Sequence, residues 1–132
     1  MEEVEIQVEV NPTEDIGRVR QAVENIFSNL NFEEKQQHTR NLLIAHGEGS
    51  ETLAKFSHLL RRERIRDAAR AVLRQGLRGN IITFFLNKQV AYAGHISFCE
   101  PVAESSLGPI KVRIKSGDPR NLIEWLVPKT NR

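Results

Sequence analysis

Seven arginines fall between residues 61 and 78, namely Arg61, Arg62, Arg64, Arg66, Arg70, Arg74 and Arg78, with only Glu63 and Asp67 among them. A guanidinium stays charged at physiological pH and forks onto two oxygens at once, so a row of arginines is suited to phosphate. Steps of four residues drift by only ~40° around a helix, which sets Arg66, Arg70 and Arg74 in one stripe away from Ile65, Ala69, Val72 and Leu73. The pattern predicts a solvent-facing basic helix whose Arg62, Arg66, Arg70, Arg74 and Arg78, joined by Lys88, contact nucleic-acid phosphates. Two alternatives stand beside it. The arginines could form a subunit interface, or a solvated face on which Glu63 with Arg66 and Asp67 with Arg70 pair for ~0.2–0.5 kcal/mol each.

A second basic row, Lys111, Arg113 and Lys115, alternates with Ile110, Val112 and Ile114, as on a strand with one face buried. If the first strand lies beside it, Glu5 and Glu9 neutralise this row; if not, the row is a free strip for a phosphate backbone. A third feature is apolar. Ile81–Leu86 and Val90–Phe98 flank Asn87-Lys88, which reads as a tight hairpin turn. Its register sets Phe85 beside Val90 and Thr83 beside Tyr92, so Phe85 and Tyr92 share a face that either a second subunit covers or unpaired bases stack upon.

Signs of catalysis are weak. The four histidines carry no metal-ligand spacing, so neither a metal nor a cofactor is expected, and Cys99 has no histidine or lysine beside it in sequence. The neighbourhood of His46, Glu48 and Ser50 would serve an enzyme acting on a phosphorylated ligand only if a pocket converged there. The expectation is a non-enzyme.

The elements that must hold these residues follow from periodicity. Val4, Ile6, Val8 and Val10 alternate with polar residues as a half-buried strand. Thr13 is placed to cap an amphipathic helix running to about Ser28. Residues 29–38 read as an irregular polar connection, Arg40–His46 as a strand, and Ser50 as the cap of a helix that bends near Arg61–Arg64 and resumes to Gly76. The hairpin, the basic strand and a short helix after Gly117-Asp118-Pro119 complete the order β-α-β-α-α-β-β-β-α. Such an order predicts an α+β fold, with an antiparallel sheet of about five strands and helices mainly on one face.

At 132 residues, the length suits one domain over the whole chain. A content of 39% hydrophobic and 27% charged residues excludes a disordered or low-complexity chain. No apolar run approaches the ~20 residues that span a membrane. The acidic first residues are the reverse of a targeting leader, and one cysteine allows no internal disulfide, so a cytoplasmic location is expected. The net charge of +2 conceals an uneven distribution: residues 1–15 hold six acids and no base, whereas residues 61–78 hold seven bases and two acids.

Several segments resemble, in order, an uncharacterised conserved archaeal family classed as predicted RNA-binding. They are Asn11-Pro12-Thr13-Glu14-Asp15, Ile65-Arg66-Asp67-Ala68-Ala69-Arg70, Leu86-Asn87-Lys88-Gln89, Leu107-Gly108-Pro109-Ile110 and Trp125-Leu126-Val127-Pro128. That family is related to a predicted exosome-subunit family, and its fold is similar to that of a ribosomal protein contacting five-S RNA. The resemblance implies RNA as partner and supplies no site residues. Together the readings predict an RNA-associated protein acting through its arginine-rich helix, with a homodimeric assembly module as the alternative.

Overall fold

The computed structural model describes residues 2–36, 41–100 and 108–128. Seven strands and five helices follow one another as β1 (Glu3–Val10), α1 (Ile16–Glu24), β2 (Asn31–Gln36), β3 (Asn41–Glu48), α2 (Gly49–Arg62), α3 (Arg66–Gln75), β4 (Leu77–Arg78), β5 (Ile81–Asn87), α4 (Lys88–Tyr92), β6 (Phe98–Cys99), β7 (Pro109–Lys115) and α5 (Pro119–Leu126). The fold is α+β. Its sheet is ordered β2-β3-β1-β7-β5-β4, with β6 also on β5, and every pairing is antiparallel. The acidic first strand is therefore central, between β3 and the basic β7.

The alternation in β1 buries Val4, Ile6, Val8 and Val10, and β7 and β5 add Ile110, Val112, Ile114, Ile82, Phe84 and Leu86 to the same core. Against this face pack Val19 and Val23 of α1, Leu53, Phe56 and Leu60 of α2, Ala69 and Leu73 of α3, and Leu122, Ile123 and Leu126 of α5. Phe27, Phe56 and Phe84 stack in sequence, with ring centroids 5.1 and 5.5 Å apart. Truncating a buried ring of this kind costs about 3–5 kcal/mol. The helices cover this face, and the opposite face of the sheet carries the alternate, mostly polar residues.

Local details depart from the expectations in five places. The N-cap of α1 is Asp15, whose carboxylate accepts from the Gly17 amide, and not Thr13; the helix ends at Glu24 rather than Ser28. Helix α2 starts at Gly49, so Ser50 lies within its first turn and does not cap it. Residues 31–36, expected to be irregular, form edge strand β2, which only Phe32 anchors to the core. Asn87 makes no hairpin turn: its side chain accepts from the Val90 amide at 3.1 Å and caps helix α4. The chain then returns as two residues, Cys99 opposite Phe85 and Phe98 opposite Leu86, so the Phe85–Val90 and Thr83–Tyr92 pairs do not form.

The bend between α2 and α3 lies where expected, at Glu63–Ile65, with Arg64 in the left-handed region at φ 61°. Beyond α3, Gly76 allows β4 to approach β5, since a Cβ there would sit 2.0 Å from the Thr83 carbonyl oxygen. That pairing and β2 raise the expected five strands to seven, with β6 standing where the longer return strand of the hairpin was expected. Arg40 and residues 101–107 of the loop before β7 lie outside the described residues.

Candidate nucleic-acid interface

The seven arginines do not share one environment. Arg61 and Arg62 occupy the last turn of α2, where they suit the negative end of its dipole. Arg64 forms the elbow and Arg66 opens α3. Glu63, the acid between them, is turned away from all four. One of its oxygens lies 2.9 Å from His95 Nδ1 and the other accepts from the Ile96 amide at 3.1 Å. Among the described residues, the side chains of Arg61, Arg62, Arg64 and Arg66 make no hydrogen bond or ion pair, and Asp67 pairs with none of them. The expected Glu63–Arg66 and Asp67–Arg70 pairs are absent.

Arg70, expected at the centre of a solvent-facing stripe, is instead an internal strut. Its side chain is 11% exposed; Nη1 meets Glu124 at 2.9 Å and Nη2 donates to the Val127 carbonyl, fastening α3 to the end of α5. Arg74 is exposed and lies 3.5 Å from the same Glu124 carboxylate. Arg78 is exposed, but Nη1 is tethered to the Gln75 and Leu77 carbonyls at 2.9 and 2.8 Å. The expected phosphate stripe is thus interrupted at its middle, and its unpaired guanidiniums shift towards the elbow.

Lys88 corrects the reading more strongly. Its side chain is fully buried, donating to the Glu9 carbonyl at 2.6 Å and the Glu14 carboxylate at 3.0 Å, and it cannot reach a phosphate. Glu14 also accepts from the Asn11 amide at 3.0 Å and from the Tyr92 hydroxyl at 2.9 Å. Burial pushes the Glu14 carboxyl up, but these donors, Asn11 before Lys88 and Tyr92, outweigh it and hold the group below its ordinary value. Tyr92 is pushed up to about 12, first by burial and then by its bond to Glu14. Residues 11–15 and 86–89, two segments of the family resemblance, meet at this cluster. It is a structural clamp: every polar group in it is bonded, as a buried pair requires.

Phe85 and Tyr92 are also separated. Phe85 projects to the open face of the sheet between Lys111 and Cys99, whereas Tyr92 lies on α4 with the Arg18 guanidinium 5.7 Å from its ring centre. They form no common stacking surface.

On the open face, β1 and β7 pair as the charges suggest. Glu5 stands opposite Arg113, at 3.7 Å, and Gln7 opposite Lys111. Glu9 lies beyond the shared register, and Glu3 opposes Lys115 in its place. A cleft of about 330 Å³ opens here, lined by Glu3, Glu5, His46, Glu48, Arg113 and Lys115 but not by Ser50. No group of histidines, cysteines and carboxylates suited to a metal ion occurs among the described residues. No helix among them is long and apolar enough to cross a membrane.

The sheet, open on one face, and the arginine elbow belong to a chain whose family is shown by its likeness to known proteins. Residues 3–116 match a family model described as RNA binding. A UPF0201 protein of Sulfurisphaera tokodaii is 48% identical over 130 residues, covering 98% of this chain and 90% of the relative; one from Pyrobaculum aerophilum is 43% identical over the same length. The crystal structure of a UPF0201 protein from Methanococcus jannaschii superposes with a TM-score of 0.85 at 32% identity, over 98% of this chain and 95% of that one. The chain belongs to this RNA-binding family, alongside the archaeal proteins named UPF0201.

Proposed function

We propose that the protein binds RNA through phosphate contacts made at the α2–α3 elbow by Arg61, Arg62, Arg64 and Arg66, with Arg74 and Arg78 along its flank. The observation that carries this reading is the diversion of Glu63 to His95 and Ile96, which leaves four neighbouring guanidiniums without an intramolecular acid among the described residues. The family description of RNA binding supports the ligand class.

Recognition of this kind is electrostatic and shape-based, with weak sequence selectivity and strong salt dependence. A mobility-shift titration tests it. R62E/R64E is expected to weaken binding at least tenfold and to flatten the dependence of log K on log salt. Absence of RNA affinity at low salt, or affinity indifferent to R62E/R64E, would contradict the proposal.

A further inference from the structure

The open face of the sheet is divided by charge along the line between β1 and β7. On one side β2, β3 and β1 present Glu33, Glu48, Glu3, Glu5 and Glu9 against a single Lys35. On the other, β7 and β4 present Lys111, Arg113, Lys115 and Arg78 with no acid from the strands themselves. Each side also carries apolar residues at matching distances from the dividing line. Leu42 and Ile44 lie on β3, one strand out from β1; Ile81 and Phe85 lie on β5, one strand out from β7. Ile44 is buried yet stands outside the core cluster, on this face.

We propose that this face docks a second copy of the same chain, sheet against sheet, about a twofold axis running parallel to the strands along the β1–β7 boundary. The charge pattern selects that axis. It sets β1 of each copy over β7 of the other and β3 over β5, so that Glu3 and Glu5 meet Lys115 and Arg113 on both sides and Ile44 meets Phe85, the two lying level in the sheet. A twofold axis across the strands would set β1 on β1 and β7 on β7, like charge upon like. Isologous contact requires this self-complementarity, and near-aligned strands are one of the two usual packings of facing sheets.

The available area is sufficient. Six strand positions about 4.8 Å apart and strands about 23 Å long give a face on the order of 600 Å², so two copies would bury roughly 1,200 Å², at the lower end of stable interfaces. A nucleic acid fits the face less well, because a phosphate backbone crossing it meets the acidic half as well as the basic half. The elbow arginines play no part in this contact.

Sedimentation of the full chain at low and high salt tests the proposal, with circular dichroism as the check on folding. The unmodified protein is expected to dimerise, more weakly as salt rises. E3K/Q7K and K111E/K115E, the positions that face one another across the axis, should each weaken the dimer at least tenfold when alone, and an equimolar mixture should restore it, since the reversed β1 of one copy then faces the reversed β7 of the other. The milder variants Glu3→Gln and Lys115→Gln, which set no like charges across a ladder, should each weaken it several-fold. A monomer at every concentration up to the millimolar range, a dimer indifferent to these substitutions, or a mixture that fails to reassociate would overturn the proposal. So would loss of RNA affinity in K111E/K115E without a change in mass, which would give the face to RNA instead.

Discussion

The α2–α3 elbow and the open face of the sheet are both rich in cations, and they differ in where their acids are. On the sheet, antiparallel register sets Glu5 beside Arg113 and Glu3 beside Lys115, so the basic strand is partly neutralised by its neighbour. At the elbow, Glu63 is taken by His95 and the Ile96 amide, and the arginines around it are left without an ion pair among the described residues. The lesson is that cation count is a poor guide to a binding surface. The fold decides which bases keep a partner, and Lys88, wholly enclosed with Glu14, is the extreme case.

Substitutions graded by this pairing should separate stability from affinity. Lys88→Ala strands Glu14 in the interior and is expected to cost about 3–5 kcal/mol in urea unfolding; a change under 1 kcal/mol would show that the clamp contributes little. Arg70→Ala removes the strut to Glu124 and the Val127 carbonyl and should cost about 1–3 kcal/mol, while the RNA affinity of the folded protein falls much less than in R62E/R64E. Arg113→Ala, which breaks a half-exposed pair, should change stability by less than about 1 kcal/mol.

The clamp also predicts a dependence on pH. Glu14 titrates lower in the folded than in the unfolded chain, so its contribution is complete above the unfolded value and is lost as pH falls through the folded one. Tyr92 is raised, from 10.0 to about 12, so its contribution is complete below pH 10 and is lost as pH rises towards 12. Denaturation midpoints measured across pH should decline at both ends, and Tyr92→Phe should remove the part of the alkaline decline due to this group.

Much of the fold was legible because periodicity reports burial directly. The alternation in β1 and β7 and the helical spacing in α2 and α3 each mark the face that meets the core. Complementary charge favoured β1 beside β7 but left the pairing open, and the register brings Glu3, not Glu9, to that ladder. Strand β2 was not legible, because Asn31–Gln36 is an exposed edge whose ladder to β3 leaves almost no apolar signal. Asn87-Lys88 misled because asparagine serves a turn and a helix cap equally well, and the distant Glu14 that draws Lys88 inward is invisible to local pattern. The same holds for Arg70: its helical stripe was correct, but the stripe borders α5, and Glu124 lies 54 residues away. Long-range pairing of charges is the part of a binding site that spacing alone does not encode.

The central claim is that RNA meets the elbow and not the sheet, and the most direct measurement compares R62E/R64E with K111E/K115E in one titration of RNA affinity against salt. The elbow variant should lose at least tenfold in affinity at low salt with a shallower salt slope, while the sheet variant keeps the affinity and slope of the unmodified chain. Equal losses in the two variants, or a loss confined to K111E/K115E, would contradict it.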